Sequence, residues 1–203
     1  MRLSDVKKEI ISDIEKTIAR GRIVNGVHEC ATFTYKDNTF YVKADVTIRG
    51  KRVGSRIYKN GRPYEGGAIT GDKYRQCAVG GGDTILQHQL LAVCLLPGAY
   101  DKLMNGENIV INHKTIYSAN KKQNRVNPFI YVAPACDVRD IEICTAQDNV
   151  KHGKFIKEFG LYDISISAFF VDTFRKALEV TDINSLMQIY EAWGISGVHA
   201  LIV

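Results

Sequence analysis

The sequence predicts an α+β protein with an N-terminal helix, antiparallel strands and C-terminal helices. Three observations carry that expectation: apolar residues at four-residue steps over 4–20, strict apolar/polar alternation over 40–49, and two helical stretches after residue 160. Val6, Ile10, Ile14 and Ile18 fall on one face of a helix that should end before Gly21. Phe40, Val42, Ala44, Val46 and Ile48 alternate with Tyr41, Lys43, Asp45, Thr47 and Arg49, the period of a half-buried strand. The preceding ThrPheThrTyr at 32–35 and turn-prone LysAspAsn at 36–38 predict a hairpin, and Gly50 with ValGlySerArgIleTyr at 53–58 predicts a third strand. GlyArgProTyrGluGlyGly at 61–67 reads as a breaker and a linker candidate. GlyGlyGlyAsp at 80–83 lacks the following lysine and helix of a phosphate-cradling loop, so a hairpin turn is expected there.

Further along, the apolar run AsnIleValIle at 108–111 predicts a short buried strand with Asn112 and His113 at its end. A second strand is expected around Ile141, Ile143 and Cys144. ThrAlaGlnAsp at 145–148 then has the spacing of a capping box, which makes Thr145 the N-cap of a helix from Ala146 to about Phe159, stopped at Gly160. Asn149 and His152 are three apart on that helix and share a face. Strand, loop, strand and helix in this order should fold Asn149 back against Asn112 and His113. Two more helices are expected over Ile164 to Val180 and Thr181 to Trp193, the second capped by ThrAsp at 181–182 and carrying Ile183, Leu186, Met187, Tyr190 and Trp193 as its apolar stripe.

A histidine next to carboxamides suits one chemistry in particular. Phosphodiester hydrolysis needs a water made nucleophilic by a base and a hard cation that offsets charge on the phosphate and the leaving alkoxide. Neutral imidazole can serve as the base, and amide oxygens suit a hard ion. With AsnHis at 112–113, AspIleGlu at 140–142 and ThrAlaGlnAspAsn at 145–149, the chain resembles the HNH endonucleases of the His-Me finger (ββα-metal) superfamily, most closely the phage and intron-encoded homing type. GlnHisGlnLeuLeuAlaValCysLeuLeuPro at 87–97 is similar to that family's upstream His-x-Leu-Val-Ala segment, so the resemblance spans roughly residues 70–160.

The resemblance implies a ββα-metal nuclease core and a role for each matching residue. His113 would activate water, Asn112 and Asn149 would bind one Mg²⁺ or Mn²⁺ per site, Asp140 would hold the loop carrying the histidine, and His88 would be structural. His152 is a candidate metal or phosphate contact, or else an exposed helix histidine. Two departures stand out. Asp140 occupies a place that usually holds Asn, and 27 positions separate His113 from Asp140. The excess reads as an insertion at about 114–137, either a DNA-contacting arm through Lys121, Lys122 and Arg125 or a tolerated surface excursion. These departures motivate the alternative, a catalytically decayed scaffold that binds nucleic acid or protein.

Composition and charge fit this picture. At 203 residues and 45% apolar content the chain can bury one good core, and its five cysteines include no Cys-x-x-Cys pair, which disfavours zinc. No apolar stretch reaches membrane-spanning length and the first twenty residues are charged throughout, so a cytoplasmic protein is expected, in the host cytoplasm if phage-encoded. The net charge of +5 is uneven: Lys and Arg outnumber Asp and Glu by 16 to 9 over 1–75 and by 9 to 8 over 76–160, and are outnumbered 2 to 5 over 161–203. Arg49, Lys51, Arg52 and Arg56 lie in the densest basic stretch, which reads either as phosphate contacts to DNA or as a solvated strand face. The expected organisation is a basic helix-and-strand region over 1–66, a nuclease core over 67–160 and a helical region over 161–203.

Overall fold

A computed structural model describes residues 4–67, 74–106, 108–113, 137–151, 173 and 176–203. The first helix, α1 (Asp5–Thr17), buries Ile10, Ile11 and Ile14, while Val6 is 58% exposed. Steps of four advance about 40° around a helix, so an apolar series that long cannot keep both ends on the core. Ile11 completes the inward face in place of Val6. The helix stops at Thr17, earlier than expected, because Ala19–Arg20 (β1) pairs with the main sheet.

After a small hairpin, Ile23–Val24 (β2) and Val27–His28 (β3), come the strands β4 (Cys30–Tyr35), β5 (Asn38–Ile48), β6 (Lys51–Lys59) and β7 (Arg62–Tyr64). They form an antiparallel sheet in the order β1-β4-β5-β6-β7. Two-residue turns set the register: Asn25–Gly26, Arg49–Gly50 and Asn60–Gly61 all have positive φ at both positions, the conformation whose twist matches paired strands. The 61–67 stretch is therefore not simply a break. Asn60–Gly61 turns the chain back, and Arg62–Tyr64 extends the sheet by one edge strand, where Pro63 is tolerated. The alternation expected for β5 holds from Phe40 through Ala44, and a register shift after Lys43 leaves Ile48 exposed.

Ala31, Phe33 and Tyr35 of β4, Phe40, Val42 and Ala44 of β5, and Ile57 of β6 face inward. Phe33 and Phe40 are register partners with rings stacked at 4.7 Å. This face packs on α1 and on α2 (Gln87–Leu95). Strands β8 (Gln76–Gly80) and β9 (Asp83–Leu86) lead into α2 through the Gly81–Gly82 turn expected from GlyGlyGlyAsp. Leu90 through Leu95 of α2 are all fully buried, as a helix that is apolar on every side must be. Next come α3 (Ala99–Asn105), β10 (Ile109–His113), a 3-10 turn over Val138–Asp140, β11 (Ile141–Thr145) and helical residues 146–151 (α4). One buried cluster runs from Ile10 through α2 to Val138 and Ile141.

Residues 176–180 are helical, and the last helix, α5 (Ile183–Ala200), is capped by Asp182, whose Oδ1 accepts from the backbone N–H of Asn184 and Ser185. It extends beyond the expected end at Trp193. Trp193 is 74% exposed although it lies on the same helix face as buried Leu186. The architecture is thus α+β with antiparallel sheets. No helix among the described residues is long and apolar enough to cross a membrane.

Candidate functional site

Strands β10 and β11 pair antiparallel in a register that matches Ile109 with Thr145, Asn112 with Glu142 and His113 with Ile141. Along β10 the period of two buries Val110 and Asn112 and leaves Ile109, Ile111 and His113 half-buried. A buried carboxamide needs a partner. Asn112 has one across the ladder, donating Nδ2–H to Glu142 Oε1 at 2.9 Å. Glu142, which sequence reasoning placed only within a strand, thus sets the orientation of the Asn112 amide.

His113, one residue on, points to the opposite side of the hairpin and joins a cluster of three rings. Its centroid lies 5.0 Å from that of His88, edge-on, and 5.6 Å from that of Tyr74, with nearly parallel planes. Tyr74 and His88 also meet edge to face at 4.8 Å. His88 comes from the first turn of α2, so the central helix carries one wall of this cluster. Burial lowers the His113 pKa to about 4, and burial together with the His113 ring lowers that of His88 to about 3. Both rings are therefore neutral at pH 7.

The helix start behaves as the ThrAlaGlnAsp spacing predicts. Thr145 Oγ1 accepts from the Asp148 backbone N–H at 3.1 Å and donates to Asp148 Oδ2 at 2.7 Å. The Ala146 N–H donates to the Asn108 carbonyl at 2.7 Å, tying the start of the helix to the residue before β10. That contact sets the start of α4 beside the Ile109 end of the hairpin. Cys144 is the register partner of Val110, and Thr145, where α4 starts, is that of Ile109, at the end of the hairpin away from His113. The Cys144 thiol is pushed up to about 12, mainly by burial, which makes it an inert packing group.

The lead-in to β11 is anchored on the large sheet. Asp137 caps the 3-10 turn by accepting from the Arg139 backbone N–H, Val138 donates its N–H to Ser55 Oγ at 2.9 Å, and Ser55 donates to the Ala44 carbonyl. Arg139 Nη1 pairs with Asp45 Oδ2 at 3.1 Å. Sequence reasoning missed Tyr74, Ser55 and Asp137. Each acts through a contact with a distant segment, which leaves no local signature.

Asp140 ends the 3-10 turn, and its side chain lies outside the described residues, as do His152, Lys121, Lys122 and Arg125. The helix expected to Phe159 is described as far as residue 151. Lys51 and Arg52 are described through their backbone in β6. Arg49 is exposed at a hairpin tip, with φ of 51°. Arg56 pairs with the exposed Glu65 at 3.2 Å. Among the described residues no group of three or more His, Cys, Asp or Glu side chains is placed to hold a metal ion.

Comparison of the chain with protein-family models, curated proteins and solved structures found no match. The site is therefore read from its own residues: an uncharged imidazole at a strand end, a buried amide one residue before it on the opposite side of the strand, oriented by a carboxylate, and a second amide on the capped helix that follows the hairpin. Oxygen donors of this kind suit a hard cation that keeps several of its waters, and they are too few and too weakly charged to hold one tightly without a phosphate.

Proposed function

We propose that the chain is a divalent-metal-dependent DNA endonuclease of HNH type, hydrolysing phosphodiester bonds within a ββα-metal core. The observation that supports this best is the strand–strand–helix arrangement itself. Asn112 and His113 end the first strand, the second strand pairs with it residue for residue, and a Thr145-capped helix that carries Asn149 follows.

His113 takes the proton from an attacking water. Desolvation keeps the ring uncharged at pH 7, with a lone pair open to a proton but a basicity below that of an exposed imidazole. The edge-on His88 and parallel Tyr74 restrict its rotation, which favours one approach line for the water. Asn112 and Asn149 would hold Mg²⁺ or Mn²⁺, with Glu142 orienting the Asn112 amide and Asp140 supporting the loop beyond the histidine. When bound, the ion supplies charge stabilisation for the departing 3′ oxygen. His152 is a further candidate contact to ion or phosphate. Arg49, Lys51, Arg52, Arg56, Lys121, Lys122 and Arg125 are the candidate DNA contacts.

His113→Ala should abolish Mg²⁺-dependent nicking or linearisation of supercoiled plasmid and leave DNA binding nearly intact, because a base acts in the transition state and not in docking. Undiminished cutting by that variant would refute the assignment. The depth at which His113 is buried favours one second reading, a scaffold of the same shape that binds nucleic acid or protein without cleaving. A mobility shift without cleavage at any Mg²⁺ or Mn²⁺ concentration would select it.

A further inference from the structure

The solvent face of the five-stranded sheet carries an ordered arrangement that hydrolysis does not use. Reading across the register, Thr32 of β4, Tyr41 of β5, Tyr58 of β6 and Pro63 of β7 form one row. The next row along the strands holds Cys30, Lys43 and Arg56, with Glu65 beside Arg56. The opposite face of these strands is buried, so the pleat presents both rows outward. Tyr41 is exposed, and its ring lies 5.8 Å from that of Tyr58 at a tilt of 38°. The two rings are thus neighbours on the outward row, Tyr41 exposed and Tyr58 half-buried.

We propose that this face is a stacking platform for single-stranded nucleic acid, with bases on Tyr41 and Tyr58 and the sugar-phosphate backbone along Lys43 and Arg56. Charge complementarity selects this occupant. Lys43 makes no ion pair among the described residues, and the acids nearby are spoken for: Asp45 pairs with Arg139 and Glu65 with Arg56. An exposed pair such as Arg56–Glu65 contributes little and exchanges readily for a phosphate. At the end of the aromatic row, Pro63 and Arg62 help line a cleft of about 440 Å³, and exposed Arg49 lies at the far hairpin tip. Basic residues exceed acidic ones by 16 to 9 over residues 1–75, the part of the chain that builds this sheet. A duplex keeps its bases stacked on one another and offers the two rings nothing, whereas every unpaired base has a π-face to place on them. The platform uses neither His113 nor a metal, so it is independent of the hydrolytic reading.

The test is fluorescence anisotropy of a short labelled oligo-dT in EDTA, with the matching duplex as a second probe. The full-length chain should bind the single strand more tightly than the duplex. Tyr41→Ala and Tyr58→Ala should each weaken single-strand binding by about tenfold, while Tyr41→Phe and Tyr58→Phe, which keep the rings, should bind like the wild type. Lys43→Gln should flatten the dependence of log Kd on log salt by about 0.7. The proposal is overturned if oligo-dT is not bound, if the double alanine variant binds it unchanged, or if the phenylalanine variants lose as much as the alanine ones. EDTA suppresses cleavage, so any of these results leaves the His113 experiment to be judged separately.

Discussion

His88 and His113 are both uncharged because each is desolvated by burial, and His88 is held down further by the charge His113 would carry 5.0 Å away. Their folded-state pKa values, lowered to about 3 and about 4, lie below the 6.5 of an exposed ring. Below about pH 6.5 the unfolded chain therefore binds protons that the folded chain refuses, so stability is complete above that value and declines as pH falls towards 4. Each ring should cost about 2 kcal/mol between pH 7 and pH 5. Urea midpoints at the two pH values measure this. His88→Phe, which keeps a ring of similar size, should remove about half of the difference, and an unchanged difference would show that the enclosed rings are not its source. His88 could be read in the sequence only as a structural histidine, since nothing local ties it to a residue 25 positions away.

Between elements, the contact that matters most for the site is made by a glycine. Gly54 lies in β6 at φ +78°, and a Cβ there would come within 2.6 Å of Asp137 Oδ2. Asp137 caps the turn that delivers β11, so this close approach couples the large sheet to the β10–β11 hairpin. Gly61 has a similar φ of 77° in the Asn60–Gly61 turn, yet a Cβ there would meet nothing within 4 Å. The two alanine substitutions separate backbone conformation from crowding. Gly61→Ala should lose about 1 kcal/mol from the left-handed backbone alone, and Gly54→Ala roughly 2 to 5 kcal/mol because the Asp137 carboxylate must also move. Denaturant unfolding of both variants decides it, and equal losses would mean that the sheet and hairpin are not coupled there. The turns were only partly legible. GlyGlyGlyAsp announced a hairpin, but GlyArgProTyr at 61–64 looked like a break because its proline hides an edge strand.

Across the whole molecule, α2 is the hub. It packs against β4 and β5 of the large sheet, β9, both strands of the β10–β11 hairpin, and α3. The buried cluster accordingly includes side chains from both sides of the 61–67 stretch. Leu91→Ala, at a fully buried position, should therefore cost 2 to 5 kcal/mol, of the order expected for a core leucine. Urea unfolding followed both by far-ultraviolet circular dichroism and by tyrosine fluorescence should show the loss at one midpoint. Two separated midpoints would mean that the sheet and hairpin unfold independently of the helix between them.

Local patterns in the chain determined the helix over 5–17, the strand from Phe40, the Thr145 and Asp182 caps and the position of Asn112 and His113 at a strand's end. In each of these the cause lies within a few residues of its effect, in periodicity, capping hydrogen bonds or turn chemistry. Only the tertiary structure decided that Tyr74 and His88 enclose His113, that Glu142 orients Asn112, that Asp137 rests on Gly54, and that Tyr41 and Tyr58 share an open face. Those contacts join segments up to about eighty residues apart. Burial and strand register create them, and neither is written in any short stretch of sequence.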